Sequence, residues 1–381
     1  MATRNSPGRL MTFRDHQAEK LPWNGNLSKE KAFPNVHDVL IVKGGKAPDE
    51  SVSYSVTMLN RVFHFLLLSA AMLLLLDRAA RAGAGREDPT ELRVLTYNLL
   101  HDGPLSGFFE NGSHLEERLD TTIQELRRLQ PDVIALQEAS DSRKHGHVPQ
   151  RIAEALGYQM VFAPATERIF GIRSLDRLII SVLGFKEGPA ILSRYPIIAS
   201  EVYDLPRCRH RLDPRILLRA VIDTPDGPVQ VFSAHTSKGD ECQLQRVGEL
   251  FREHRGHGRA ILMGDLNTGE QSSVLTGWQK EPGFIDVFRA ANPEVSGGTV
   301  WQNIHVEQST ADRRVDFIFL LDGRNGKWPV VRSSRLAFDH PSRLPNGAAL
   351  WPSDHRGVLA DIEFVPLDKP RISRLPDAGT R

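Results

Sequence analysis

Cysteine is almost absent, with Cys208 and Cys242 the only two in 381 residues. No Cys/His cluster suggesting zinc is present, and the two thiols leave both a disulfide in an oxidising compartment and two separate side chains open. An excess of charge of one sign is missing too. The formal net charge is +1: the first 89 residues carry 12 Lys and Arg against 9 Asp and Glu, and the remaining 292 carry 36 against 38. That balance lacks the basic footprint of a protein gripping long nucleic acid. One basic stretch stands out, Arg207, Arg209, His210, Arg211, Arg215 and Arg219, and it reads equally well as a solvated loop entering a strand. No apolar run is long enough for a spanning helix: the run from Val62 to Leu76 has fifteen residues, with His64 and Ser69 its polar members, against about 20 needed to cross a bilayer. No internal repeat is visible.

That run belongs to an amino-terminal region unlike the rest. Residues 1–57 are rich in Pro, Gly, Asn and charge with little periodicity, the composition of a disordered segment. Residues 58–85 then give a short cationic start at Met58 and Arg61, the apolar core and Ala80-Arg81-Ala82, the layout of a secretory signal peptide. A signal belongs at an amino terminus, so translation is expected to begin at Met58, leaving 1–57 untranslated; a minimal membrane anchor is the alternative. A buried helix is disfavoured because the run is apolar all round. Either leading reading places the catalytic part outside the cytoplasm, exported to the periplasm or beyond, or tethered to the membrane.

Residues 90–366 have the pattern of one α/β domain, followed by a 367–381 tail expected to be disordered. Leu92 to Asn98 reads as a strand, and a helix from Ser113 aligns Leu115, Leu119, Ile123, Leu126 and Leu129 until Pro131. A strand runs into Glu138; Val148 to Leu156 is a helix stopped by Gly157, followed by a strand at Tyr158 to Phe162. Ala190-Ile191-Leu192 and Ile197 to Val202 read as strands paired around a turn at Ser193 to Pro196, and Pro225-Asp226-Gly227 marks a hairpin between Leu217–Asp223 and Val229–His235. Gln243 to His254 is a helix; Ala260–Asp265, Arg314–Leu320 and Gly357–Phe364 are later strands.

Six short segments place polar side chains at or near the ends of apolar runs: Leu95-Thr96-Tyr97-Asn98, Leu136-Gln137-Glu138, Phe232-Ser233-Ala234-His235, Gly264-Asp265-Leu266-Asn267, Arg314-Val315-Asp316-Phe317 and Ser353-Asp354-His355. Polar groups delivered from several strand ends to one place make a catalytic rim. Glu138 offers the hard oxygen that Mg²⁺ or Mn²⁺ prefers. Asp265 and Asn267, two apart at a strand end, point to the same side. His355 beside Asp354, with Asp316 as a carboxylate partner, has the setting that raises a histidine pKa. Arg219 is a candidate to reach a phosphate from its neighbouring strand, and His101 and Asp102 to line an entrance.

Singly these segments are weak; as an ordered set they resemble the endonuclease/exonuclease/phosphatase superfamily, deoxyribonuclease-like metal-dependent phosphodiesterases and phosphatases, from about Leu92 to Phe364. Pro131-Asp132-Val133-Ile134, the Gly188 to Ile197 stretch, and Thr299 with Trp301 add to the likeness. The resemblance implies a four-layer α/β/β/α sandwich and a Mg²⁺ (or Mn²⁺) cofactor held by Glu138, with Asn98 beside the metal and Asp354 assisting. It further implies that Asp265 and Asn267 position and deprotonate the attacking water, that Asp316 orients His355, and that His235 donates to a non-bridging oxygen. Whether Asp265 or His355 is the base stays open at this stage.

The residues from Pro164 to Gly188 depart from a compact family domain: Ile172, Leu175, Ile179 and Val182 share a helical face beside Arg168, Arg173, Arg177 and Lys186. Packing into the core is one reading, and a lid or membrane contact the other. The chain is thus expected to be a monomeric Mg²⁺-dependent phosphodiesterase or phosphatase acting on a lipid or small phosphorylated compound. The rivals are a secreted nuclease acting on DNA or RNA, and a catalytically degenerate binding module, which the intact set of catalytic residue types disfavours.

Overall fold

The computed structural model describes residues 91–100, 114–209, 212–254, 259–300, 302–321 and 329–364. The expectations for 1–57, 58–85 and 367–381, and those resting on His101, Asp102, Ser113, His210, Arg211 and Trp301, lie outside these residues.

The chain begins with β1 (Glu91–Asn98), α1 (Leu115–Leu129), β2 (Val133–Ser142), β3 (Gly146–His147), α2 (Val148–Leu156) and β4 (Gln159–Phe162). A 3-10 turn at Thr166–Arg168 leads to α3 (Arg173–Leu183), β5 (Phe185–Ser193), β6 (Ile197–Asp204), β7 (Ile216–Thr224) and β8 (Gly227–His235). Then follow α4 (Glu241–Glu253), β9 (Arg259–Asp265), α5 (Ser273–Lys280), β10 (Phe284–Asp286), α6 (Val287–Ala291), β11 (Asp316–Leu321), β12 (Val330–Ala337), β13 (Ser342–Arg343), β14 (Ala349–Leu350) and β15 (Gly357–Glu363).

Two large sheets result. One has the order β12-β15-β1-β2-β5-β4 with β3 added to β2, the other β10-β11-β9-β8-β7-β6. Each contains one parallel pair, β1 with β2 and β8 with β9; all other neighbours are antiparallel. A parallel pair needs a crossover, and α1 and α4 supply the two. Alternation along β1 sends Leu92 and Val94 into the core between the sheets, with Leu218, Val231, Ile261 and Ile318 of the second sheet, and Leu95 and Tyr97 outward against Leu119, Leu126 and Ile152 of α1 and α2. The second sheet covers its other face with Leu244, Val247 and Phe251 of α4 and Leu275 and Trp278 of α5. Helix, sheet, sheet and helix are the four layers expected.

Two local readings need correction. β5 and β6 do not pair: β5 lies between β2 and β4 in one sheet, and β6 lies beside β7 in the other. Pro196 has no N–H with which to close a hairpin, Arg194 N donates to Asp132 O of the first sheet (2.9 Å) and Asp223 N to Pro196 O in the second (2.9 Å), so the turn steps between layers. β2 also does not stop at Glu138. It passes through a bulge between Leu136 and Ala139 and continues to Ser142, with Glu138 at φ 50°.

Candidate active site

The two parallel pairs end at the same rim, the place where open α/β sheets usually bind ligands. Asn98 lies opposite Gln137 at the end of β1 and β2, and His235 lies opposite Asp265 at the end of β8 and β9. A Cβ on Gly264 would fall 2.0 Å from Ala234 O, so a bare backbone is what lets these two strands close up beneath their terminal residues. β11 starts at Asp316 opposite Asp265, and His355 stands just ahead of β15. The bulge turns the Glu138 side chain toward the same rim, and Asn267, at φ 46°, also takes a left-handed backbone that costs energy and recurs at functional sites.

Below the rim, residues of the same segments tie the sheets together. Thr96 Oγ1 donates to Gln137 Oε1 (3.2 Å), and Gln137 Nε2 donates to Ser233 Oγ (3.3 Å), all three buried. Arg118 of α1, itself buried, donates to Leu99 O, Leu100 O and Pro352 O at 3.0–3.1 Å. It thereby clamps the loop that leaves Asn98 to the one that delivers Asp354 and His355.

At the rim, Asn98 Nδ2 donates to Glu138 Oε1 (3.2 Å) and to Asp265 Oδ2 (3.1 Å), and Asn98 Oδ1 accepts from Leu100 N (3.0 Å). Asn267 N donates to Asp265 Oδ1 (2.8 Å), while the Asn267 amide donates to Thr236 O (3.0 Å) beside the His235 ring. His355 Nδ1 lies 2.9 Å from Asp316 Oδ2, and its Nε2 lies 3.8 Å from Asp265 Oδ2. Thr299 Oγ1 accepts from Val315 N (3.1 Å) and Asp316 N (3.3 Å), fixing the start of β11. Asn98, Glu138, His235, Asp265, Asn267, Asp316, Asp354 and His355 thus meet in one cleft.

Their charges interact strongly. Burial alone would push the His355 imidazole down, but the Asp316 and Asp265 carboxylates outweigh it and hold it up at about 10. Burial, opposed by His355 and helped by Asp265, pushes Asp316 up as well; together these shifts describe one proton kept by the pair well above neutral pH. Asp354 is raised to about 6 by burial and then, against the pull of His355, by the negative charges of Glu138 and Asp265.

Arg219 does not join them. It lies on the outer face of the second sheet, donating to Gln230 Oε1 (2.9 Å) and Glu201 Oε2 (2.8 Å), because alternation along β7 gives the inward positions to Leu218 and Ala220. The guanidinium at the site is Arg215, immediately before β7, whose Nη1 lies 2.7 Å from His235 Nδ1. A guanidinium only donates, so Nδ1 accepts, while Nε2 lies 3.1 Å from the Asn267 amide nitrogen and 3.5 Å from Asp265 Oδ2. Glu187 of β5 lies 3.9 Å from His235 Nδ1 and was equally unmarked as a site residue. Arg215 had one signal, its place in the basic stretch. The loop before it is pinned by a Cys208–Cys242 disulfide to α4, with Cα atoms 6.5 Å apart.

The donor set suits a hard divalent cation. Glu138, Asp265 and Asp354 supply carboxylate oxygens with the Asn98 amide between two of them, and the raised pKa of Asp354 marks a negative field that a cation would neutralise. One ligand atom each from Asp265, Asp316 and His355 also lie within 4.8 Å of one another, but the hydrogen bond between Asp316 and His355 commits that pair to each other. Asp240 with Cys208 and Cys242 forms a second close group, and there the sulfurs are closed in the disulfide.

Solved structures share the fold. An endonuclease/exonuclease/phosphatase family protein from Bacteroides thetaiotaomicron aligns at 20% identity and TM-score 0.57, over 73% of this chain and 99% of that one. The mannosyl-6-phosphatase of B. thetaiotaomicron VPI-5482 aligns at 21% and 0.56, over 72% and 100%, and a humanized D. rerio TDP2 at 16% and 0.52, over 72% and 99%. At such identities the likeness is one of fold. No curated protein matches the chain. The model of the Endonuclease/Exonuclease/phosphatase family matches residues 95–355, a span that opens three residues before Asn98 and closes on His355. With that span and the two-sheet rim in place, the chain belongs to the endonuclease/exonuclease/phosphatase family, and it is a metal-dependent phosphoester hydrolase.

Proposed function

We propose that the protein is a Mg²⁺-dependent phosphodiesterase or phosphatase that acts outside the cytoplasm on a lipid or small phosphorylated compound. The observation that carries the reading is the cleft, in which a protonated His355–Asp316 pair faces Asp265 across 3.8 Å. A phosphoester resists attack because its oxygens are negative, so a catalyst must neutralise them, activate water and stabilise the leaving oxygen. A divalent ion held by Glu138, with Asn98 and Asp354 at hand, supplies charge neutralisation when bound. Asp265 takes the proton of the attacking water, oriented with Asn267. His355, an imidazolium at neutral pH, has no lone pair free to act as base; it donates from Nε2 to the phosphoryl group. His235 donates from Nε2 to a non-bridging oxygen, its ring set by Arg215.

A small or lipid substrate is favoured over nucleic acid by the fate of the basic stretch. Arg207 donates to the carbonyls of Arg168 and Ile169, Arg209 to Gly239 O and Arg215 to His235. These guanidiniums are turned onto the protein rather than toward a duplex. The Cys208–Cys242 disulfide supports an oxidising compartment, in line with the signal-like segment at 58–85. The relative that hydrolyses a mannosyl-6-phosphate, by its name, is a precedent on this fold for a small substrate.

The test is a phosphoester panel with Mg²⁺, Mn²⁺ and Ca²⁺: double- and single-stranded DNA, sphingomyelin, inositol phosphates and bis-p-nitrophenyl phosphate. Turnover of a lipid or small ester with Mg²⁺, well above that of DNA, is expected. Preferential cleavage of DNA would overturn the reading in favour of a secreted nuclease.

A further inference from the structure

Helix α3 puts its apolar side in water. Ile172, Leu178 and Val182 are 57%, 63% and 70% exposed, and Phe170, Leu175 and Leu183 are also exposed. These six are a majority of the eleven large apolar side chains exposed among the described residues, so they form a concentrated ridge rather than the scatter normal for a surface. At helical spacing, Ile172, Leu175, Leu178, Ile179 and Val182 fall on one side. Only the neighbouring strip, Asp176 and Ile180, is buried against the body, where Asp176 Oδ1 accepts from Phe170 N at 2.8 Å. The core-packing reading of this face is therefore wrong.

The surroundings say what such a ridge meets. From Glu167 to Lys186 the chain carries four Lys and Arg against two carboxylates. Glu167 is paired with Lys186 at 3.2 Å and Arg168 with Asp204 at 2.6 Å, while Asp176 is buried. The exposed Arg177 stands at the edge of the ridge, between two recesses of about 550 and 500 Å³. The second recess is also lined by Arg215, whose Nη1 lies 2.7 Å from His235 Nδ1. Specific protein interfaces are anchored by aromatic residues and a hydrogen-bonding rim. Here the side chains are almost all aliphatic and the exposed Arg177 stands beside them, as in helices that lie in the plane of an anionic membrane surface with a basic residue at their edge.

We infer that α3 is a membrane-docking element, seating its Ile172–Leu178–Val182 ridge among the acyl chains of an anionic lipid surface and setting the recess at Arg177 and Arg215 against the headgroups. No helix among the described residues is long and apolar enough to cross a membrane, and at eleven residues α3 lies along the surface.

The full chain can be used, because its two cysteines form a disulfide and an added thiol is a unique labelling site. Leu178→Cys and Val182→Cys carry an environment-sensitive fluorophore, with Val295→Cys, also exposed, as reference. With phosphatidylcholine–phosphatidylglycerol vesicles, the labels at 178 and 182 should shift to the blue and be quenched by lipid-borne nitroxides, and the label at 295 should not. A chain that binds vesicles through its 58–85 segment alone leaves position 178 in water, and that result overturns the inference. So does a chain that binds no vesicles, or a concentration-dependent shift without lipid, which would mark contact between copies. A second arm rests on the lipid reading of the substrate. Leu178→Glu with Val182→Glu should lower hydrolysis of a vesicle-borne phosphoester by roughly tenfold or more and leave soluble bis-p-nitrophenyl phosphate hydrolysis unchanged. Activity on the soluble ester with none on any lipid removes the substrate reading, while the fluorophore still decides the docking surface.

Discussion

Replacing Asp316 by Asn isolates what the buried carboxylate contributes. The substitution keeps the shape of a fully buried side chain and removes a negative charge 2.9 Å from His355 Nδ1. For unit charges at that separation and an effective dielectric of about 20, Coulomb's law gives roughly 5–6 kcal/mol. Both charges are spread over several atoms, which brings the effect toward the roughly 1–3 pK units usual for an opposite charge at this range. His355 should then titrate roughly 1–3 units below its present value of about 10, as burial pulls it down against the remaining support of Asp265, 3.8 Å from Nε2, and Asp354. The alkaline limb of the kcat profile should move acidward by the same amount, and the ¹⁵N shifts of labelled His355 should follow it. Turnover at neutral pH should fall by roughly 10²–10⁴-fold, because the Asn amide also orients the ring less firmly. An unmoved alkaline limb, with turnover within about threefold of the parent, would refute the assignment of His355 as a cation held by Asp316.

Glu138→Gln should weaken Mg²⁺ binding by roughly tenfold or more by calorimetry while leaving the melting temperature of the metal-free protein nearly unchanged, since it removes a hard charged donor and no packing. Arg215→Met should reduce kcat/KM by roughly 10–10³-fold, with Lys restoring only part, because a point charge cannot reproduce the guanidinium contact with His235; full activity in the Met variant would remove Arg215 from the site. Metal-free stability should fall as pH rises in two windows. Asp354 binds its proton more tightly in the folded state, about 6 against 3.8, so stability is lost between those values. His355, raised from 6.5 to about 10, gives stability that is complete below 6.5 and lost as pH climbs through 10. Thermal melts in chelator should show both declines, and Asp354→Asn should abolish the first; a melt unchanged by that substitution across the acid window would contradict the raised value.

The rim was legible because its chemistry is local. Asn98, His235 and Asp265 end apolar strands, and a strand's period of two with its terminal polar residue is written in five or six consecutive positions. α1, α2, α4 and the β7–β8 hairpin carry equally local marks, the α1 leucine face and Pro225-Asp226-Gly227 among them. What failed to show is what depends on partners far along the chain. Ile197 to Val202 has the look of a hairpin arm whether its partner is β5 or β7, and only the sheet-to-sheet step at Arg194–Pro196 distinguishes them. Arg215 and Arg219 are alike as letters. Strand alternation alone would put both on one face; Arg215 reaches His235 because it stands in the loop before β7, while Arg219 is held within the strand on its outer face.

The same contrast separates the residues that do chemistry from those that hold them. Arg118 reads as one more cation on an amphipathic helix, and only its carbonyl partners, 18 to 234 residues away in sequence, reveal a clamp. Gln137 and Ser233 read as polar interruptions until the two sheets are stacked and the hydrogen bond between them closes. The α3 ridge fails in the opposite sense. Its periodicity marked an apolar face correctly, yet an apolar face is normally taken as core, and exposure is a property of the neighbours the helix lacks. Local pattern therefore finds the groups that meet substrate, while the network that aims them, and the surface that brings substrate to them, follow only from how distant segments are packed.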